Sequence, residues 1–314
     1  YSGKRVGGGF RCRLTGTRLP PAKGLVSFKD RSAITGGMTG TSPAAIDLET
    51  AFDGTPLRHP TRPRSRYRPL AAVRHFRELL KDKENTAEVF RIYDALPSRQ
   101  FVPRVRALTL SPHGDALRRS EPFLPPILDD HDALRKTPAG SVAHAYCDFM
   151  ESEGLSAAGL VAESEKAGRP VYDDLVQWFG FRQRDTHDLM HVLTGYGRDA
   201  LGEQCVLLFT HGQSPSQGHL LLGYAGSLHL KKLVKSRAPV MKAVRQAHRT
   251  GKACPPLVEL SIRELLVKNL EQARAELNIP EPHWYRECHR IWREEGIDPY
   301  DLLAQKQEPE LVSA

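Results

Sequence analysis

The sequence has no apolar run approaching the roughly 18–20 residues that a membrane-spanning helix requires, and no signal-peptide core. The expectation is a chain that does not cross a membrane but can sit on one. Cysteine is sparse: the five residues Cys12, Cys147, Cys205, Cys254 and Cys288 are odd in number, widely spaced and contain no Cys-x-x-Cys pair. That pattern fits a reducing compartment and argues against a disulfide framework or a thiolate zinc site. Strand-like alternation is nearly absent, which excludes a sheet-based fold, and no repeat recurs at a fixed period. There is no glycine-rich phosphate loop, no dinucleotide fingerprint and no nucleophile elbow, so nucleotide-dependent and serine-hydrolase chemistries lack their usual scaffolds.

Acidic residues are also scarce at one end. The formal net charge of +8 looks like a nucleic-acid signal until it is located. Residues 1–37 carry Lys4, Arg5, Arg11, Arg13, Arg18, Lys23, Lys29 and Arg31 against Asp30 alone, and residues 38–68 add five more arginines against three acids. The remainder, 69–314, is within one charge of neutrality, so no nucleic-acid partner is expected. Residues 1–37 begin at Tyr and lack periodicity, as an upstream extension with Met38 as the true start, or an organellar presequence, would. Residues 38–68 are rich in Pro, Thr and Arg and are expected to form a solvated arm.

From Pro69 onward helical periodicity dominates. Leu70, Val73, Phe76, Leu79 and Leu80 recur at helical spacing, Lys81–Asn85 breaks the pattern, and Ala87–Leu96 resumes it, as a helix hairpin would. Seven prolines between Pro97 and Pro138 suggest turns and extended links across a surface. Helical patterns return over 137–151, 155–167 and 172–181. Further ones follow over Gln217–Lys235, Ala238–His248 and Leu257–Leu277, the last a strong amphipathic helix. The domain expectation is a disordered or non-native arm over 1–68, one all-α domain over 69–282 with a metal-binding helix hairpin, and a polar tail over 283–314 holding one short helix.

The densest chemistry lies in Thr186–Glu203, THDLMHVLTGYGRDALGE. His187 and His191 stand one helical turn apart, where two imidazoles can grip one ion, and Asp188 points within the same arc of about 100°. Leu189, Met190, Val192 and Leu193 make this helix apolar and therefore buried, and a buried aspartate between two histidines needs a compensating cation. Gly195-Tyr196-Gly197 lets the chain reverse, Asp199 can cap the next helix, and Glu203 then falls in its first turn. The bland alternative is a pair of core histidines with Asp188 in a salt bridge. His211, His219 and His229 are candidate supporting partners. His283, Cys288 and His289 match no standard ligand spacing and read as surface residues. In Gln217–Lys235, small residues and a basic end suit either a core helix or contact with a slender apolar ligand and anionic head groups. Leu221, Leu222 and Tyr224 are the candidate lipid-binding residues.

The motif His187-Asp188-x-x-His191, eleven residues, then Glu203 resembles that of the coenzyme Q biosynthesis protein 4 family. Leu193-Thr194-Gly195, Asp199, Gly202, Arg182 and Arg184 sit as that family places them, and weaker likeness runs from Leu70 through 81–92 and Phe149-Met150 to Leu277-Asn278-Ile279. Met190 departs from the aromatic residue that relatives often carry. The resemblance implies an α-helical fold, a divalent ion held by His187, Asp188, His191 and Glu203, and a role in ubiquinone synthesis. It implies a peripheral place on the cytoplasmic face of a bacterial inner membrane or, alternatively, the matrix side of the mitochondrial one. Its implied activity replaces the ring carboxylate of a polyprenylated hydroxybenzoate with a hydroxyl while holding other ubiquinone enzymes together, in a homo-oligomer or otherwise. Catalytic residues beyond the ligands are not indicated. Zinc suits the ligand set best; iron, manganese or cobalt also fit, and oxidative chemistry asks for a redox-capable ion or direct attack of oxygen on an activated ring. Two other classes remain open: a non-catalytic lipid-binding scaffold, and a metal-dependent hydrolase, for which no second His-Asp dyad is visible.

Overall fold

Most helices of this chain start at a side chain that accepts a hydrogen bond from the first exposed backbone N–H groups, as helix N-termini require. The computed structural model describes residues 49–81 and 85–302, all within one unit, Asp47–Ala314. Expectations for residues 1–48, including the alternative start, and for 303–314 lie outside the described residues.

In chain order the helices are α1 (Pro69–Lys81), α2 (Thr86–Ala95), α3 (Phe101–Thr109), α4 (Pro112–Ser120), α5 (Pro125–Leu128), α6 (His131–Leu134), α7 (Val142–Glu153) and α8 (Ala157–Lys166). They continue as α9 (Leu175–Asp185), α10 (His187–Thr194), α11 (Ala200–Gln213), α12 (Gln217–Leu233), α13 (Val240–Ala253), α14 (Ile262–Leu266), α15 (Leu270–Glu276) and α16 (His283–Glu294). Among the described residues there is no strand, only isolated bridges at Thr50–Pro56 and Ser141–Asn269, so the fold is all-α as expected. No helix among them is long and apolar enough to cross a membrane.

The core is organised around α11, which packs against α10, α12 and α13, with α16 against α13 and α7 against α10. Leu189, Leu193, Leu201, Phe209, Met150 and Trp292 form its centre, all but fully buried. A fully buried Leu or Phe contributes about 1.5–3 kcal/mol, so this cluster anchors α10 strongly in the core. The α1–α2 hairpin forms as the periodicity indicates and rests on α12 through Ile92, Ala95 and Leu222.

Four expectations are corrected. The segment 49–68 is not wholly a solvated arm: Ala51 and Leu57 are buried against Val105, Leu117, Leu175 and Phe179. The Asp174 carboxylate accepts from Arg62 Nε (2.6 Å) and Nη2 (2.8 Å), so an arginine that suggests solvent serves an internal ion pair. A continuous run of exposed residues covers Pro63–Leu70. The proline-rich stretch 97–138 forms α3–α6 rather than extended links. Pro112 and Pro125 occupy first-turn positions, where a missing N–H costs nothing. The single helix expected over Leu257–Leu277 is broken into a short 3₁₀ turn, α14 and α15, because Ser261 and Asn269 each cap a new start. Finally, α16 is no polar tail: Tyr285, Cys288, His289, Ile291 and Trp292 are buried, and Leu302 still touches the core. Thus Cys288 and His289 are core residues, not surface ones.

Candidate metal centre

α10 is a short, buried rod positioned at both ends. Thr186 joins it to α9, its backbone N–H (3.1 Å) and hydroxyl (3.0 Å) both donating to the Arg182 carbonyl. At the other end Gly195 adopts φ +72°, a left-handed helix stop that favours glycine, and its N–H donates to His191 O at 2.9 Å. Arg274 of α15 donates to the carbonyls of Leu193 (2.9 Å) and Val192 (3.0 Å), placing a cation on the negative end of the helix.

The reversal then brings α11 alongside. Asp199 caps α11, its Oδ1 accepting from Leu201 N (3.0 Å) and Gly202 N (3.3 Å). Its Oδ2 accepts from the Tyr285 hydroxyl, which in turn accepts from Gly197 N at 2.9 Å, and His289 Nε2 lies 3.3 Å from Oδ1. Thus α16 locks the hairpin. A Cβ at Gly202 would stand 1.9 Å from the Gly197 carbonyl oxygen, which is backbone and cannot swing away. Gly202→Ala is therefore expected to destabilise the protein by roughly 1–3 kcal/mol, as overpacking does. It should also lower metal occupancy by displacing Glu203. Denaturant unfolding and metal analysis check this; unchanged values on both would show that the hairpin tolerates the shift.

Within this frame the two imidazoles meet. His187 Nε2 and His191 Nε2 are 3.3 Å apart, and Glu203 of α11 places its two carboxylate oxygens 3.5 Å from the first and 3.6 Å from the second. Asp188 is buried beside them, with one ligand atom from each of His187, Asp188 and His191 inside 4.8 Å of the others. The structure brings His187, Asp188 and His191 together, and Glu203 faces the two imidazoles. His191 is wholly buried, its ring stacked on Phe149 at 5.5 Å and 17°, and its Nδ1 lies 3.0 Å from the Tyr196 carbonyl oxygen. A carbonyl only accepts, so Nδ1 carries a hydrogen, and Nε2 faces His187 and Glu203 with its lone pair, or with a proton when the ring is charged. Burial alone would raise the Glu203 carboxyl, but the two histidines hold it below the ordinary carboxylate range. Burial alone would depress His187, but Glu203 holds it above its usual value.

This donor set fits a divalent cation. Bonds of about 2.0–2.1 Å to a tetrahedral ion put two ligating nitrogens about 3.3–3.4 Å apart, and the observed Nε2–Nε2 separation is 3.3 Å. A lone pair, a second imidazole and a carboxylate aimed at one another repel unless a proton or a cation lies between them.

Several neighbours have no signal in local sequence. Arg198 Nε stands 3.8 Å from Glu203 Oε1 and its Nη1 3.8 Å from Glu153 Oε2, leaving a guanidinium at the mouth of the site. The Tyr93 phenol on α2 is held above its usual range by burial and by the Glu203 charge. The Tyr93 ring lies tilted against His219 at 4.6 Å; burial, then His211 and His187, push His219 down to about 3, so it stays neutral. His211 instead lies 2.8 Å from the Ser216 carbonyl and 5.0 Å, ring to ring, from His248. Of the candidate lipid residues, Leu222 is buried against α2, Leu221 borders the same cluster, and the Tyr224 hydroxyl is 3.4 Å from His248 Nδ1.

Comparison with known proteins converges on one family. The model of the family described as "Coenzyme Q (ubiquinone) biosynthesis protein Coq4" matches residues 100–283. The mitochondrial ubiquinone biosynthesis protein coq4 of Talaromyces stipitatus is 27% identical over 205 residues, covering 64% of this chain and 68% of that protein. Its Aspergillus clavatus counterpart is 25% identical over 216 residues, covering 68% and 73%. A crystal structure of a provisionally named ubiquinone biosynthesis protein from Nostoc punctiforme shares the fold, with a TM-score of 0.50 and 21% identity over 69% of this chain and all of that one. With the family match extending over more than half its length and embracing the whole His187–Glu203 hairpin, the chain belongs to the Coq4 family of coenzyme Q (ubiquinone) biosynthesis proteins.

Proposed function

We propose that this protein replaces the ring carboxylate of a polyprenylated hydroxybenzoate with a hydroxyl, using a divalent cation, zinc foremost, held by His187, Asp188, His191 and Glu203. One observation carries the reading: two imidazole nitrogens and a carboxylate converge within 3.6 Å of one another in a site that is partly open at Glu203. When bound, the cation would draw in the substrate carboxylate and stabilise negative charge on the ring oxygens as the carbon–carbon bond breaks. Carbon dioxide departs, one atom of dioxygen becomes the ring hydroxyl, and the other leaves as water with two protons and two electrons from an external reductant.

The chain's own residues do the rest. The Tyr196 carbonyl fixes the His191 tautomer, and Phe149 fixes its ring plane. Arg198 offers a guanidinium to an incoming anion at the mouth, the geometry that best matches a carboxylate. α1, α2 and α12 pack through an apolar cluster, a chemistry that suits an isoprenoid tail. The relatives carry mitochondrial names, which supports a mitochondrial location over the bacterial alternative; the matrix side of the inner membrane and the other ubiquinone enzymes as partners belong to the same proposal.

The test pairs Glu203→Ala with Asp188→Asn. Both variants should fold, lose metal affinity at least roughly tenfold, and accumulate a carboxylated, prenylated ring in cells, measured by lipid extraction alongside metal analysis. If a stable, metal-free variant still processes that precursor normally, the site is not catalytic and a lipid-binding scaffold is the better account.

A further inference from the structure

Widely spaced cysteines give no local sign of a sulfur-containing metal site, yet the fold assembles one set of mixed donors away from the His187 centre. Cys147 and Glu151 lie one turn apart on α7, and His131 of α6 comes over them. One ligand atom from each stands within 4.8 Å of the other two. The sulfur forms the floor, fully buried in the main core. His131 and Glu151 form a rim that is 26% and 53% exposed. Arg135 Nη2 holds Glu151 Oε2 at 2.8 Å, while Oε1 faces His131 Nδ1 at 3.0 Å.

We propose that His131, Cys147 and Glu151 form a second metal site, distinct from the His187 centre, for a borderline-soft divalent cation of the zinc class. A thiolate, an imidazole and one carboxylate suit zinc, cobalt or cadmium and poorly suit magnesium or calcium, which prefer all-oxygen shells. Three protein ligands with an open rim leave a position for water, the pattern of an exchangeable site rather than a closed structural one. Binding replaces the Cys147 S–H bond with a sulfur–metal bond and releases one proton to solvent, with no change of oxidation state. Burial holds this thiol above its usual range, so the sulfur keeps its proton until a cation displaces it. The cation takes the place of the direct His131–Glu151 contact. Glu151 has room to turn, and Arg135 keeps a second anchor in Asp148 at 2.6 Å.

Cobalt tests this on the full chain, stripped of metal and titrated while absorbance is followed. The His187 centre offers only nitrogen and oxygen, so a near-ultraviolet sulfur-to-cobalt charge-transfer band reports a cysteine ligand alone. The band should appear in the unaltered protein and persist in Cys12→Ser and in a His187→Ala/His191→Ala variant. It should vanish in Cys147→Ser. His131→Ala and Glu151→Gln, both at the rim and tolerant of change, should weaken the cobalt affinity read from the band at least roughly tenfold. Absence of the band at saturating cobalt, its survival in Cys147→Ser, or unchanged affinity in both rim variants would overturn the proposal.

Discussion

His191→Ala is expected to yield a folded protein that no longer holds metal at the His187 centre and whose melting temperature has lost that centre's response to chelator. Three losses coincide at this position. The side chain is wholly buried and stacked on Phe149, so its removal opens a cavity behind that ring. The Tyr196 carbonyl loses its donor. The lone pair facing His187 and Glu203 also disappears. Cavity and orphaned carbonyl together cost about 2–4 kcal/mol.

The metal contributes separately, by mass action: an ion present at a thousand times its dissociation constant stabilises the native state by about 4 kcal/mol. For a folded region of this size that corresponds to roughly 8–16 °C. The unaltered protein should therefore fall by that amount when chelator is added, and His191→Ala should begin below that lower value, by the further cost of its cavity, without repeating that drop on chelation. Thermal scans with and without chelator decide between the accounts. If chelator leaves the unaltered protein's melting temperature where it was, the imidazole pair is a core packing element.

How legible was this in the sequence? The ligand hairpin was, because helical spacing is local. One turn separates His187 from His191, a glycine stops the rod, and Asp199 starts the next one. The fold class was legible for the same reason, as hydrophobic periodicity names helices without knowing their partners. What stayed hidden is long-range. Nothing near Arg198 in sequence says that it faces Glu203, and Tyr285 meets Asp199 across 86 positions. Glu121 likewise meets Ile262 and Arg263 some 140 positions away.

The α16 misjudgement has a different origin. Arg286, Glu287, Arg290 and Arg293 give the segment a polar average, yet Tyr285, Cys288, Ile291 and Trp292 recur at helical spacing on the other face. Period, rather than mean polarity, carried the information. In α14–α15 the reverse occurred: an unbroken apolar period suggested one helix, while the capping preferences of Ser261 and Asn269 divided it.

Glu121→Ala should produce the largest loss of stability of any change to a charged residue, about 3–5 kcal/mol, because it leaves a buried guanidinium without its anion. Glu121 is fully buried and its carboxylate accepts from Arg182 Nη2 (2.7 Å), Ser261 Oγ (2.9 Å), Arg263 N (2.8 Å) and Ile262 N (3.2 Å). Arg182 in turn donates to Val258 O (2.8 Å) and Leu260 O, so the pair ties the end of α9 to the start of α14. The Arg182 carbonyl also receives Thr186, the residue that launches α10, so the same clamp fixes where His187 emerges.

The pH dependence has a definite sign. Burial alone would raise the Glu121 carboxyl, but the Arg263 N–H and the Arg182 charge hold it below the ordinary range. A depressed folded-state value means that its stabilisation is present above the unfolded carboxylate pKa of about 4.3 and is lost as pH falls through the folded value. Chemical denaturation at pH 7 and at pH 4 and below should show the unaltered protein losing part of its advantage over Glu121→Gln as the pH drops. A Glu121→Ala protein within 1 kcal/mol of the unaltered one at pH 7 would mean that the Arg182 bonds to the Val258 and Leu260 carbonyls hold the clamp without Glu121.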